Sequence, residues 1–130
     1  MLTNPEFLLR LILAAVASGL VGFERESVHK PAGIRTHMLV GLGSALFVLA
    51  ILSVLPGEAA RIMAGIATGI GFLGAGTIFR AKDHVVGLTT AASIWAVAAI
   101  GLTFGLGEYV LAVAATILVI LVLQLKKVGL

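Results

Sequence analysis

Long apolar segments alternate with short polar ones along the whole chain. At about 1.5 Å of rise per residue, an α-helix of about 20 residues crosses the hydrocarbon core of a bilayer, which is about 30 Å thick. Five apolar segments have about this length. They cover residues 7–23, from Thr36 or His37 to about 55, 61–80, 88–106 and 109–125. The pattern predicts an all-α, polytopic membrane protein formed by a bundle of about five transmembrane helices.

Composition supports this class and narrows the chemistry. The chain is 60% hydrophobic and 12% charged, with a mean hydropathy of +1.17, whereas soluble domains are about 45–50% apolar. Residues 1–130 are therefore predicted to form a single transmembrane domain, with no C-terminal soluble domain. The absence of cysteine excludes disulfides, thiolate metal sites and thiol nucleophiles. No Ser/His/Asp arrangement or HExxH motif is present, so we do not expect an enzyme.

The basic residues lie at the ends of the apolar segments. In those positions they indicate membrane topology, so the net charge of +3 does not predict a nucleic acid partner. Only Arg10 and Arg61 lie on one side, and Arg10 is expected to pair with Glu6 one turn earlier. The positive-inside rule then places the N-terminus outside and the C-terminus in the cytoplasm. The seven basic residues predicted to be cytoplasmic are Arg25, Lys30, Arg35, Arg80, Lys82, Lys126 and Lys127.

The third segment is rich in glycine. Glycine costs about 1 kcal/mol relative to alanine within a helix, and close contact between helices in a bilayer is one reason to accept that cost. Gly69, Gly71 and Gly74 form a GxGxxG motif. Dinucleotide binding by such a motif requires a preceding strand and a following amphipathic helix, which the sequence does not predict. We therefore expect the central helix of the bundle, packed on more than one side. The glycines expected to make these contacts are Gly65, Gly69, Gly71, Gly74 and Gly76.

A weak internal similarity links the two halves of the chain. The GIRT sequence at residues 33–36 and the GLTT sequence at 87–90 lie 54 residues apart, and Gly22 matches Gly76 at the same offset. The similarity suggests a parallel repeat of helical hairpins, with a fifth helix added. Chance is an equal explanation in a chain with 16 glycines, and glycine followed by threonine also favours the start of a helix.

Polar residues between the apolar segments are the candidates for chemistry. Carboxylates such as those of Glu24 and Glu26 suit a hard cation such as Mg²⁺, and no other cofactor is expected. The alternative is a structural salt-bridge network in which the neighbouring cations neutralise these acids. On either interpretation the side chains are expected to converge at the cytoplasmic ends of the helices. The candidate functional cluster is Glu24, Arg25, Glu26, Lys30, Arg35, Thr36, Arg80 and Asp83.

The three histidines lie in or beside the same loops. His29, His37 and His84 could sense pH or bind a transition metal with Glu26, or could simply be solvated or cap helices. The predicted spans hold no ionisable residue away from their ends. An ion pathway usually contains such residues, so conduction is not favoured.

Three stretches resemble the membrane domain of the MgtC/SapB family of bacterial inner-membrane proteins. They cover residues 22–49, 69–80 and 86–102, in the family's order and spacing. The positions that match family motifs are Glu24, Arg25, Glu26, Lys30, Gly33, Arg35, Thr36, Gly71, Gly74, Gly76, Gly87, Leu88, Thr89, Thr90 and Trp95.

This resemblance implies a bacterial inner-membrane protein linked to magnesium homeostasis and, in pathogens, to virulence. It further implies a regulator that binds other membrane proteins, with the F-type ATP synthase as a candidate partner. We also expect a homo-oligomer. The alternative function is a transporter or channel for Mg²⁺ or another cation.

Overall fold

The computed structural model describes residues 4–125. Within this range the chain forms five α-helices, one turn of 3-10 helix and one β-hairpin. The predicted fold class, an all-α bundle of membrane character, is confirmed. Lys126 and Lys127, which the topology prediction used, lie outside the described residues. The elements are α1 (Asn4–Ser27), α2 (Ile34–Val54), the 3-10 turn (Pro56–Glu58), α3 (Ala59–Ala75), β1 (Phe79–Ala81), β2 (His84–Val86), α4 (Leu88–Gly105) and α5 (Tyr109–Leu123).

Three of the helices, α1, α2 and α4, are long and apolar enough to cross a membrane. Helix α5 is also apolar but has 15 residues, and α3 has 17. Helices are the expected form, because a backbone in lipid must satisfy its polar groups internally. Length and composition therefore support three of the five predicted spans, and the other two are shorter helices of the same bundle.

Helices α1, α2 and α4 build the core, and α2 and α4 run in the same direction. Near the start of both, Nε2 of His37 lies 2.9 Å from Oγ of Ser93. Farther along both, the hydroxyl of Ser44 donates to the carbonyl oxygen of Ala98 at 2.6 Å. This parallel arrangement is what the suggested repeat requires. The apolar core around it includes Ala14, Val21, Ala45, Ile94, Val97 and Phe104.

The prediction that the glycine-rich helix is central is wrong. Helix α3 lies at the periphery, and Gly74 is its single buried residue. A Cβ added at Gly65, Gly69 or Gly71 would meet no atom within 4 Å. The reason is that α3 packs through an isoleucine face, with Ile66 and its neighbour one turn later against the core.

Among the glycines of α3, Gly74 alone meets another helix, because a Cβ there would lie 3.3 Å from the carbonyl oxygen of Ala91 on α4. The tightest glycine contacts lie between α1, α2 and α4 instead. A Cβ added at Gly22 would lie 2.7 Å from the carbonyl oxygen of Gly33. A Cβ at Gly41 would overlap Oγ of Ser18, and one at Gly101 would overlap the carbonyl oxygen of Gly41. The backbones of α2 and α4 therefore touch at Gly41 and Gly101, a contact that we call the glycine seam.

The third predicted span, 61–80, extends too far. Helix α3 ends at Ala75, and the hydroxyl of Thr77 donates to the carbonyl oxygen of Gly74 at 2.7 Å. Residues 79–86 form the β1–β2 hairpin, in which Lys82 takes a positive φ of 54° in the turn. Gly87 then adopts φ of 95° and precedes α4, a conformation that glycine accepts without strain. The turn after Ala75 and the hairpin therefore take the place of the last helical turn that the sequence predicts.

Candidate functional site

The end of α1 carries a buried ion pair. Glu24 and Arg25 are 6% and 4% exposed, and Nη1 of Arg25 lies 3.5 Å from Oε2 of Glu24. Among residues 4–125, neither that oxygen nor Nε of Arg25 has a hydrogen-bond partner. Buried charges are costly unless they are paired. The pair is thus held together by charge, and each partner retains unused hydrogen-bonding capacity.

His37, in the first turn of α2, is completely buried. Its Nδ1 lies 2.9 Å from the carbonyl oxygen of Gly33, and its Nε2 lies 2.9 Å from Oγ of Ser93. A carbonyl oxygen can only accept, so Nδ1 must carry a proton. The ring is therefore fixed as a donor to its own helix, and Nε2 is the nitrogen that faces α4.

The hydroxyl of Ser93 has two alternative acceptors. It lies 2.8 Å from the carbonyl oxygen of Thr90 on its own helix and within hydrogen-bond distance of His37. With a neutral ring, Nε2 accepts, and the Ser93 proton can bond to it. With a protonated ring, Nε2 donates, and the Ser93 proton must turn to Thr90. A protonated His37 therefore leaves the Thr90 carbonyl oxygen as the acceptor for this hydroxyl, whereas a neutral ring offers Nε2 as a second one.

These groups meet at one end of the bundle. Gly22 brings α1 against α2, because a Cβ there would lie 2.9 Å from Cβ of His37. Glu24 and Arg25 follow Gly22 on the same helix, α1. We call this set the buried polar cluster. Its members are Glu24, Arg25, His37, Thr90 and Ser93, all buried.

The candidate cluster predicted from sequence divides into buried and exposed parts. Oε1 of Glu26 accepts a hydrogen bond from the backbone N–H of Ile34 at 3.3 Å, at the start of α2. A Cβ at Gly33 would overlap this carboxylate, so the absent side chain makes room for the contact. Glu26 itself is exposed, as are Arg35 and Thr36, and Lys30 is half-buried.

Glu24 and Glu26, the predicted cation ligands, have different surroundings. Two residues apart on a helix, the side chains point about 200° apart, so Glu24 enters the core while Glu26 lies at the surface. Within residues 4–125 there is also no group of three or more His, Asp or Glu side chains that could hold a metal ion.

Arg80 and Asp83 do not join the buried polar cluster. Both are exposed on the β1–β2 hairpin, and in the described range neither forms a salt bridge with Glu24 or Glu26. The predicted salt-bridge network across the two loops is reduced to the contact between Glu24 and Arg25. His29 and His84 are likewise exposed.

At the opposite end of the bundle, Glu6 and Arg10 form the ion pair that the sequence predicts. Nε of Arg10 lies 3.0 Å from Oε1 of Glu6. Nη1 of Arg10 also donates to the carbonyl oxygen of Gly105 at 2.8 Å, and the hydroxyl of Tyr109 donates to Glu6. The start of α1 is therefore tied to the turn between α4 and α5. Nothing in the sequence pattern placed Gly105 or Tyr109 beside this pair.

Sequence reasoning missed the burial of His37 and Ser93. The available signal was helical spacing, since His37, Gly41 and Ser44 recur at intervals of four and three residues on α2. Small or polar residues on one stripe of a transmembrane helix mark the face that meets other helices. Ser93 and Gly101 lie eight residues apart and share such a stripe on α4.

Comparisons with known proteins give consistent relatives. The model of the MgtC family matches residues 11–129. "Putative magnesium transporter YhiD" of Escherichia coli (strain K12) is 46% identical over 130 residues, covering 93% of this chain and 60% of that protein. Protein MgtC of Salmonella typhimurium (strain LT2) is 44% identical over 114 residues, covering 88% of this chain and 49% of that protein.

Protein MgtC of Brucella abortus (strain 2308) is 45% identical over 116 residues, covering 88% of this chain and 48% of that protein. The chain thus spans about half to three-fifths of the length of these relatives. No solved structure matches it.

Proposed function

Because the chain belongs to the MgtC family, we propose that it is an inner-membrane regulator that acts by binding other membrane proteins during adaptation to low Mg²⁺. Two of its relatives are named "Protein MgtC" and "Putative magnesium transporter YhiD". A role tied to Mg²⁺ fits both names. The proposal involves no catalysis.

The observation that carries the regulatory role is the glycine seam. Gly41 and Gly101 bring the backbones of α2 and α4 into contact, and Oγ of Ser18 on α1 fills the space beside them. Small residues that allow this approach give tight helix packing in lipid. A core closed in this way suits a rigid scaffold better than a conduit along the axis of the three helices.

The proposed working surface is the end of the bundle that carries the buried polar cluster. Around the cluster lie exposed charges of both signs, including Glu26, Arg35, Arg80 and Asp83. Mixed exposed charges give a partner protein orientation and specificity. A membrane-embedded complex such as the F-type ATP synthase is a candidate partner, and a second copy of this chain is another. The positive-inside rule places this end in the cytoplasm and the N-terminus outside.

A transporter for Mg²⁺ or another cation is the second candidate. Glu24, Arg25 and His37 are ionisable, buried and part of apolar helices. Such residues in membrane helices often mark an ion or proton pathway. The name of the YhiD relative points the same way.

Transport by purified protein separates the two functions. Liposomes containing the protein and an internal Mg²⁺-sensitive dye are compared with protein-free liposomes under an inward Mg²⁺ gradient. We expect equal dye signals, together with restored growth in low Mg²⁺ when cells lacking the protein are given it back. A saturable flux that Glu24→Gln abolishes, while folding is retained, would replace the regulator with the transporter.

A further inference from the structure

The β1–β2 hairpin lies at the membrane surface by connectivity. It joins the end of α3 at Ala75 to the start of α4 at Leu88. Helix α4 is long and apolar enough to cross a membrane, so the segment immediately before it must lie near the boundary between lipid and water. The two strands are short and pair in an antiparallel register.

This hairpin exposes apolar and basic side chains together. Phe79 is 55% exposed and Val85 is 52% exposed. In the register Arg80 lies opposite Val85, so these two share one face of the hairpin. Lys82 lies exposed in the turn. Adjacent apolar and basic groups are typical of segments that rest in a bilayer interface.

The basic charges of the hairpin are available to an outside ligand. In the described part of the chain, Arg80 and Lys82 take part in no salt bridge. Asp83 is the one acidic residue in the hairpin. Arg35, in the first turn of α2, adds an exposed positive charge. Helix α2 begins at the same end of the bundle as the hairpin. The local excess of charge is therefore positive.

We propose that the β1–β2 hairpin binds anionic phospholipid headgroups. The guanidinium of Arg80 and the ammonium of Lys82 contact phosphate oxygens, while Val85, on the same face as Arg80, enters the boundary between headgroups and acyl chains. Each basic residue near an anionic surface is worth about fivefold in affinity. This site does not depend on whether the protein is a regulator or a transporter.

Fluorescence quenching by brominated lipids tests the contact directly. Trp95 is the single tryptophan, so Trp95→Phe with Val85→Trp places one reporter in the hairpin, on the face that carries Arg80. The protein is reconstituted in bilayers that contain either brominated phosphatidylglycerol or brominated phosphatidylcholine at the same mole fraction. We expect stronger quenching by the anionic lipid, and we expect 0.5 M salt to reduce the difference, because salt screens exposed charges.

Charge variants decide the outcome. Arg80→Gln with Lys82→Gln should lower the preference for phosphatidylglycerol about 30-fold, since the two contributions multiply. Asp83→Asn should raise the preference, and Arg61→Gln, at the other end of α3, should leave it unchanged. Circular dichroism confirms helix content in each variant. Equal quenching by both lipids, or a preference that survives the double substitution, would overturn the proposal and direct the search to an acidic protein partner. Absence of quenching would remove the hairpin from the interface.

Discussion

His37 and Ser93 share a hydrogen bond, but removing one partner should cost more unfolding free energy than removing the other. In Ser93→Ala, Nε2 of His37 loses its hydrogen-bond partner and stays buried. Leaving one buried polar atom unpaired costs about 1–3 kcal/mol of unfolding free energy. We therefore expect Ser93→Ala to lower the unfolding free energy more than His37→Leu does.

His37→Leu removes the imidazole ring, so no buried ring nitrogen is left that needs a hydrogen-bond partner. The carbonyl oxygen of Gly33 still accepts from the backbone N–H of residue 37 at 3.2 Å. Without the ring, the hydroxyl of Ser93 can donate to the carbonyl oxygen of Thr90 at 2.8 Å. Hydrogen bonds between membrane helices average about 0.6 kcal/mol, so the variant should lose about 1 kcal/mol.

A double-mutant cycle measures the difference. Without the ring, Ser93→Ala leaves no nitrogen unpaired, so the double variant should resemble His37→Leu within about 0.5 kcal/mol. Unfolding free energies come from reversible SDS titration in mixed micelles, followed by circular dichroism. Ser53→Ala is the matched control, because the Ser53 hydroxyl bonds to Leu49 within the same helix. Additive losses in the double variant would refute the reasoning.

Three further predictions concern the seam, the ion pair and the topology. Gly101→Ala should destabilise the fold by about 1–3 kcal/mol through overpacking, whereas Gly65→Ala, with open space at the added Cβ, should not; equal melting temperatures would contradict the seam. Glu24→Gln should cost about 3–5 kcal/mol because it leaves Arg25 buried and unpaired, whereas Glu26→Gln should cost under about 1 kcal/mol, and chemical unfolding compares them. Reporter fusions at Glu108 should read periplasmic and fusions in the hairpin cytoplasmic; the reverse pattern would invert the topology.

Segment lengths could be predicted from the sequence because lipid imposes a simple rule. A helix that crosses the bilayer must be apolar for about 20 residues, and α1, α2 and α4 satisfy this. The position of α3 could not be predicted in the same way. Apart from Arg61 and Thr68 its residues are apolar, so lipid accepts the isoleucine face as readily as the glycine face. Gly65 and Ile66 are equally acceptable to lipid and to a packed core.

The sequence predicts one cluster of polar groups at this end of the bundle, whereas the structure divides these groups into a buried layer and an exposed one. Helix α1 runs to Ser27, about one turn past the predicted span. That extra turn carries Glu24 and Arg25 beside α2 instead of into a solvated loop. Burial of this pair depends on Gly22, which lets the helices approach, and a contact between helices has no signature in a single hydropathy profile. The exposed position of Arg80 follows from a hairpin in place of the last turn of α3.

The peripheral position of α3 has a consequence for how the protein is made. Helices α1 and α2 leave the ribosome first and can pair through Ser18 and Gly41, since membrane segments emerge in chain order. Helix α3 comes next, but it contacts α4 more extensively than α2. Helix α3 therefore lacks its more extensive packing partner until α4 has been synthesised. Arrival of α4 then supplies Gly101 to α2 and a packing partner to α3 in one step, which makes α4 the segment on which assembly of the bundle depends.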